Sequence, residues 1–474
     1  MSHLWTSEAL VAAMDGRPVG RLPEGVSGIS IDTRTLRPGE AFFAIRGDKF
    51  DGHDFATAAM AAGAELLVVS EARLPSLGRM AMPMIVVPDV LAALEQTGAA
   101  ARARTRAKVI AVTGSAGKTT TKEAMRHVLS SVGKVHASDK SFNNHWGVPL
   151  TLARMPEDCD YAIFEIGMNH PGEIRPLVKL VRPHIAVVTL IAAAHLGHFK
   201  SLDEIARAKA EIFEGVEPGG HALINRDDPR FKLLDKAARA AGVAHVWGFG
   251  ENNRAQFRLM KYKPQPDSSA IAARIDGQDI CAKVGAPGRH MAQNALAVLG
   301  AAHLAGADLA KVALALSGIE AERGRGRRHT LVASAGTFTL IDESYNANPA
   351  SMKAAIELLD ATPVGPGGRR IAVLGDMLEL GSHSARLHGA LAEIIAQTNT
   401  DMVFLAGPEM KTLAEALPVD FHAEYRPGVE ELQALVLKTV RAGDAVMVKS
   451  SNGIGFSRIV DALAKAFPAA RNAA

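Results

Sequence analysis

The segment KVIAVTGSAGKTTTKEAM, Lys108 to Met125, constrains this chain more than any other. Lys108 to Thr113 is an apolar, β-branched run that predicts a buried strand, and Thr119 to Ser130 reads as a helix. The glycines between them therefore sit where a strand turns into a helix start. A phosphate-binding loop is usually spelled Gly, four residues, then Gly-Lys-Ser/Thr. Here only Ser115 and Ala116 separate Gly114 from Gly117. The physics of the junction is unchanged by the shortening. N–H groups at a helix start are unpaired and the helix dipole adds partial positive charge, so an anion fits there. Lys118 supplies a point charge for outer phosphates, and the Thr119 hydroxyl is a ligand for the Mg²⁺ that accompanies ATP. The competing reading is an ordinary strand-to-helix turn with a solvent-exposed lysine.

A chain of 474 residues predicts about three domains, because single cores stop growing well below that size. Hydrophobic residues at 48% and charged ones at 22% are globular values, and 53 basic against 50 acidic residues leave a charge of only +3. That balance does not call for a nucleic-acid partner. The basic runs RARTRAK (Arg102 to Lys108) and ERGRGRRH (Glu322 to His329) are short, lack interleaved aromatics, and read as linkers. Cys159 and Cys281 are too few for a disulfide framework or a Cys-based zinc site, which points to a reducing compartment. The N-terminal stretch has no basic region followed by an apolar one, and no apolar run approaches the roughly 18 residues of a membrane helix. A cytosolic protein without membrane insertion is expected.

Apolar runs divide the chain into three α/β units. The first hundred residues mix the short strands GISID, AFFAIRG, ELLVVS and MIVVPD with helical runs such as Phe55 to Ala62. From Lys108 to about Gly250, VIAVTG, YAIFEIG, IAVVTLI and HALIN alternate with helix-period segments, the pattern of a parallel sheet covered by helices. A polar, strand-like stretch from Gln256 to Val284 interrupts that alternation before helix resumes. After the arginine run TFTLIDESY, RRIAVLGDM, DMVFLAG and DAVMVKS restart it, predicting a third, doubly wound domain. The expected division is 1–106, 107–325 and 326–474.

Three further residues carry chemistry in the second unit. Glu165 ends a buried strand, and strand C-terminal ends are where open α/β sheets bind ligands, so its carboxylate would share a crevice with the phosphate loop and hold Mg²⁺. His195 follows the next apolar strand and Lys209 lies in the helix after it. By themselves the bland readings stand beside these: a solvated strand-end glutamate, a locally bonded histidine and a surface lysine.

The motifs GSAGKTTTKE, SFNNHWGVPLTLARM, EIGMNHPGEI, AAAHLGHFKSLDEIARAKAEIFEG, INRDDP, GRHMAQNALAV and DESYNANPASMKAAIELL resemble, in this order and spacing, the Mur ligases. The resemblance covers nearly the whole chain, and the shortened loop is that family's form. SYNANP and VLGDMLELG are similar to the members that add D-alanyl-D-alanine to UDP-N-acetylmuramoyl-tripeptide in peptidoglycan precursor synthesis. The resemblance implies a small N-terminal α/β UDP-binding domain, a central P-loop ATPase-type parallel sheet, and a C-terminal Rossmann-like domain for the incoming D-Ala-D-Ala. It implies that Gly114, Ser115, Ala116, Gly117, Lys118, Thr119 and Thr120 wrap the ATP phosphates, with Thr119 on Mg²⁺. Glu165 and His195 match positions for a second Mg²⁺, and Lys209 matches a carbamoylated lysine, whose anionic oxygens would suit a hard cation. His290 and Asn294 match the adenine side, with Asn225 at its border, and Asp342 matches a residue near the nucleotide's sugar and phosphates. Thr33 and Arg34 match uridine-diphosphate contacts; Asn143, Asn144 and His145 lie where the muropeptide would pass. Ala116, Glu343, Ser450 and the spelling HLGHF depart from the commoner family residues, which bears on the fine nucleotide and peptide contacts.

The implied reaction phosphorylates the tripeptide carboxylate with ATP; the amine of D-Ala-D-Ala then displaces phosphate. Lys118, Glu165, His195 and Lys209 would serve it, mainly by positioning and electrostatics, in a cytoplasmic monomer. A folylpolyglutamate synthase-like ligase is an alternative within the fold, but about a hundred residues with a UDP-domain-like pattern precede the loop here. A P-loop switch or motor is another; it would want the Mg²⁺-binding strand to end in Asp, where this one ends in Glu165.

Overall fold

The computed structural model of this protein describes residues 3–78, 82–139 and 141–470. The N-terminal unit is a five-stranded sheet in the spatial order Arg17–Val19, Met84–Val87, Leu66–Ser70, Glu40–Phe43, Gly28–Ser30, parallel except for the first pair. Its last helix, Val90–Arg104, starts where the Asp89 carboxylate accepts from the Ala92 N–H at 2.8 Å. The arginines at the far end of this helix are not a solvated linker. Arg102 is buried and donates to the carbonyls of Val181 (2.8 Å) and Arg182 (2.7 Å), while Arg104 lies 3.5 Å over the Trp5 ring. A guanidinium has five donors in a fixed fork, so it can close off carbonyls at a helix end that would otherwise be orphaned. RARTRAK therefore fastens the N-terminal unit to the central one.

The central sheet has nine strands in the order Gln278–Val284, Ser269–Ile275, Phe257–Pro264, His245–Gly250, His221–Asn225, Ile185–Val188, Lys108–Thr113, Tyr161–Glu165, Val135–Ala137. From Phe257–Pro264 to the Val135–Ala137 edge all pairs are parallel. The strand Lys108–Thr113 is where the winding reverses: the next two strands in sequence stack on one side and the later ones on the other. A crevice opens at such a switch point, outside the carboxyl ends of the strands. The stretch from Gln256 to Val284 does not interrupt this sheet but extends it, as Phe257–Pro264 joins in parallel and two antiparallel strands follow. Ile271, Ala273 and Ile275 alternate inward, which is why its polar face read as a break, and with Phe257 they bury against the helix Arg289–Leu304.

The C-terminal sheet runs Arg327–Ala333, Gly336–Glu343, Ala445–Lys449, Arg370–Gly375, Met402–Ala406, Ala423–Arg426; the first pair is antiparallel and the rest parallel. The second arginine run is likewise more than a linker, since it enters the first of these strands. Among the described residues no helix is long and apolar enough to cross a membrane.

Candidate active site

The phosphate loop closes on its neighbours through two glycines. Gly114 has φ +155°, and a Cβ there would stand 1.9 Å from the Thr189 hydroxyl, which donates to the Ala116 carbonyl at 2.6 Å. Gly117 caps the helix Lys118–Leu129 at φ +82°, a left-handed conformation suited to glycine, and faces the Asn294 side chain. The Ser115 N–H donates to the Leu190 carbonyl at 2.7 Å and its hydroxyl to that of Ala192 at 2.9 Å. The loop is thus held by the segment following strand Ile185–Val188, and its helix start is left facing the crevice.

Charged groups converge on that opening. Lys118 Nζ donates to the Gly114 carbonyl at 2.8 Å; burial pushes its pKa down, opposed by the nearby Glu165 carboxylate. Glu165 is 1% exposed, with Oε1 accepting from Asn143 Nδ2 at 2.7 Å and Oε2 buried without a hydrogen-bond partner among the described residues. A carboxylate oxygen left bare in a crevice is costly unless a cation or donor meets it. The Thr119 hydroxyl lies 3.4 Å from that of Ser141. His195, at φ +59°, meets the Glu379 carboxylate through Nδ1; burial lowers its pKa and Glu379 raises it. Lys209 is 1% exposed, and no hydrogen bond or ion pair joins its amine to any described residue. Burial, with repulsion from Lys118, drives its pKa well below the ordinary lysine value.

The C-terminal domain supplies the facing wall of a cavity of about 390 Å³. Arg325 lies 4.2 Å over the Tyr345 ring, whose hydroxyl is 3.2 Å from Ser141 Oγ; Asn348 Nδ2 reaches the Ser115 carbonyl at 3.3 Å. Lys449, 2% exposed, is 3.1 Å from Glu343 and 3.0 Å from the Asn346 carbonyl. Ser115, Ala116, Gly117, Lys118, Thr119, Thr120, Asn143, Glu165, His195, Asn225, His290 and Asn294, all singled out from sequence, line this one cavity. His290, at the start of its helix, is held toward the neutral form by burial.

Other expected residues stand apart. Asp342 is fully buried, and its carboxylate accepts from the N–H groups of Gly324 (2.8 Å) and Ser344 (3.1 Å), so it shapes the wall while its neighbour Glu343 lines it. Asn225 lines the cavity but is already engaged, its amide N–H donating to the Thr189 carbonyl and its Oδ1 accepting from the Asp227 N–H, both at 2.9 Å. Asn144 accepts from the Gly147 N–H at 2.9 Å, and His145 packs edge-on to Trp146 at 5.3 Å. Thr33 and Arg34 lie on the N-terminal sheet unit, where Arg34 is exposed and pairs with Asp32 at 2.6 Å. Arg325, Tyr345, Glu343 and Lys449 escaped sequence reasoning as cavity residues, although all lie within or beside quoted motifs.

Fold and cavity together define an ATP-dependent ligase, and the chain belongs to the Mur ligase family. Residues 25–102 match the family's "Mur ligase family, catalytic domain", 112–302 the "Mur ligase middle domain", and 327–452 the "Mur ligase, glutamate ligase domain". The chain is similar to two UDP-N-acetylmuramoyl-tripeptide–D-alanyl-D-alanine ligases. That of Escherichia coli (strain K12) is 34% identical over 92% of this chain and 93% of its own, and that of Rickettsia prowazekii 33% identical over 91% and 94%. The crystal structure of MurF from Acinetobacter baumannii superposes with a TM-score of 0.84 at 29% identity, covering 97% of this chain and 99% of that one.

Proposed function

We propose that this ligase joins the amine of D-alanyl-D-alanine to the terminal carboxylate of UDP-N-acetylmuramoyl-tripeptide, in the cytoplasm, with release of ADP and phosphate. The observation that carries the reading is the cavity itself, in which one wall is a phosphate loop with Lys118 and the other belongs to a second α/β domain. Segments 1–106, 107–325 and 326–474 would divide the three ligands, UDP-sugar, ATP and D-Ala-D-Ala, among them. A carboxylate does not acylate an amine in water at a useful rate, because its oxygen is a poor leaving group and the anion repels the nucleophile. Passing the γ-phosphoryl group to that carboxylate makes an acyl phosphate; amine attack then expels phosphate through a tetrahedral intermediate.

The chain's own part is orientation and charge. Loop N–H groups and Lys118 hold the phosphates, Lys449 faces them from the C-terminal domain, and Arg325 faces them from the end of the central segment. His290 and Asn294 border the base. Thr33 and Arg34 would take the uridine diphosphate, and Asn143, Asn144 and His145 would border the peptide. Closure of the cavity keeps water from the activated carboxyl. The residues present fit magnesium: Glu165 has a bare buried oxygen, Thr119 a hydroxyl, and His195 a ring nitrogen. Magnesium there would neutralise phosphate charge. Mg²⁺ is commonly held by one or two carboxylates plus substrate phosphates, so a sparse protein donor set suits it. Lys209 fits only after carbamoylation. Its amine has no hydrogen bond or ion pair to any described residue and feels the repulsion of Lys118, and a depressed pKa leaves it the free pair with which to attack CO₂; the N–C bond forms as a proton leaves the nitrogen for water, giving an anionic oxygen donor.

Incubation with ATP, Mg²⁺, UDP-muramoyl-tripeptide and D-Ala-D-Ala, followed by mass spectrometry, tests the reading. The UDP-linked pentapeptide is expected. Phosphate release that is indifferent to both acceptors, with no pentapeptide, would overturn it and favour a nucleotide switch.

A further inference from the structure

The central and C-terminal domains meet beside the cavity at two short segments, each carrying a non-glycine residue in the left-handed region. His195 has φ +59° and Glu379 φ +63°, a conformation uncommon outside Gly, Asn, Asp and His. The Glu379 carboxylate reaches His195 Nδ1 across the boundary, and the Gly197 N–H donates to the Glu379 carbonyl at 2.8 Å. Contact this close depends on two bare backbones: a Cβ on Gly381 would stand 2.8 Å from Gly197 Cα, and one on Gly197 3.1 Å from both the Glu379 carbonyl and the Gly381 nitrogen. The Glu379 segment is itself anchored, as the Met377 N–H donates to His388 and the Leu378 N–H to Ser451, each at 2.9 Å. Among the described residues the charged groups that bear on His195 are Glu379, Lys118 and Lys209.

We propose that Glu379 is a positioning residue that acts across the domain boundary. With the C-terminal domain docked, its carboxylate takes the proton on His195 Nδ1 as a hydrogen bond, fixing the tautomer whose Nε2 lone pair is free for the cavity. A metal-binding histidine commonly donates its second N–H to a carboxylate, which orients the ring and raises its basicity. Here that carboxylate belongs to the domain that brings the last substrate in the proposed function. The consequence is a coupling: the histidine is set for a cation only when that domain is in place. The inference rests on the reading of His195 as a metal ligand.

The test uses the full chain and its Glu379→Ala, Glu379→Gln and His195→Ala variants. ¹⁵N NMR of the histidine side chains reads the His195 tautomer without nucleotide, and Mn²⁺ paramagnetic resonance reads metal affinity with ADP bound. The Nδ1–H tautomer is expected in the wild type and in Glu379→Gln, which keeps an acceptor oxygen and the side-chain shape. Glu379→Ala should mix the tautomers and weaken Mn²⁺ about 10- to 100-fold, the range for loss of an outer-shell partner, and Glu379→Gln should fall between. An unchanged tautomer and unchanged Mn²⁺ affinity in Glu379→Ala, while His195→Ala weakens Mn²⁺, overturns the proposal alone. Unchanged affinity in His195→Ala as well removes the ligand reading beneath it.

Discussion

Replacing Lys209 by Met should make the ligand-free enzyme more stable and leave it inactive. Lys209 is 1% exposed within the helix Leu202–Ala210, and its amine has no hydrogen bond or ion pair to any described residue. A buried polar group without a partner costs about 1 to 3 kcal/mol. Met matches Lys in reach and helix propensity, and a volume-conserving swap costs less than about 1.5 kcal/mol. Taken at mid-range, about 2 kcal/mol against about 0.75, the net gain is roughly 1 kcal/mol, or a rise of about 2 to 4 °C in melting temperature at 2 to 4 °C per kcal/mol for a domain of this size. The sign follows from the depressed pKa of the lysine. Its folded value lies below the ordinary 10.5, so the wild type loses stability as pH falls from 10.5 through the folded value. The advantage of Met should therefore be largest at neutral pH and shrink toward pH 10.5. Calorimetry in CO₂-free buffer measures it, and added bicarbonate should stabilise the wild type alone, by turning the amine into a carbamate that attracts Lys118. A Lys209→Met protein that melts below the wild type in CO₂-free buffer, or that still ligates, would refute the reasoning.

Gly114→Ala should cost about 2 to 4 kcal/mol, because the new methyl falls 1.9 Å from the Thr189 hydroxyl. In Gly114→Ala/Thr189→Ala more than 1 kcal/mol of coupling is expected by urea unfolding; strictly additive losses would show that the two do not collide. Arg34→Ala should raise KM for the UDP-muropeptide at least tenfold with KM for ATP unchanged, since a charge-assisted hydrogen bond contributes about 1.5 to 3 kcal/mol; equal weakening of both substrates would count against a separate uridine-diphosphate site. Burial holds the His136 pKa below 6.5, its Nε2 donating to the Thr151 carbonyl at 2.7 Å, so its contribution is complete above pH 6.5 and is lost on acidification. His136→Gln, which can keep that donor, should therefore lose less stability than the wild type between pH 7 and pH 5 in urea titrations; parallel losses would show that another group carries the acid sensitivity.

What the sequence by itself determined here is local and periodic. The apolar run Lys108–Thr113 and the glycines after it imply a strand, a sharp turn and a helix start, because each depends on near neighbours in the chain. Glu165 at a strand end and Lys209 within a helix were legible for the same reason. Tertiary structure alone decided what depends on distant segments meeting. The pairing of Asn348 with Ser115 and of Tyr345 with Ser141 joins residues more than two hundred positions apart, and no periodicity marks such pairs. It also turned two arginine runs from apparent linkers into fasteners and cavity wall, since a guanidinium's role depends on which carbonyls and rings reach it. Asp342 and Glu343 show the limit most sharply. Adjacent in sequence and alike in charge, they alternate across a strand, so one carboxylate turns inward to bind Gly324 and Ser344 while the other faces the cavity and Lys449.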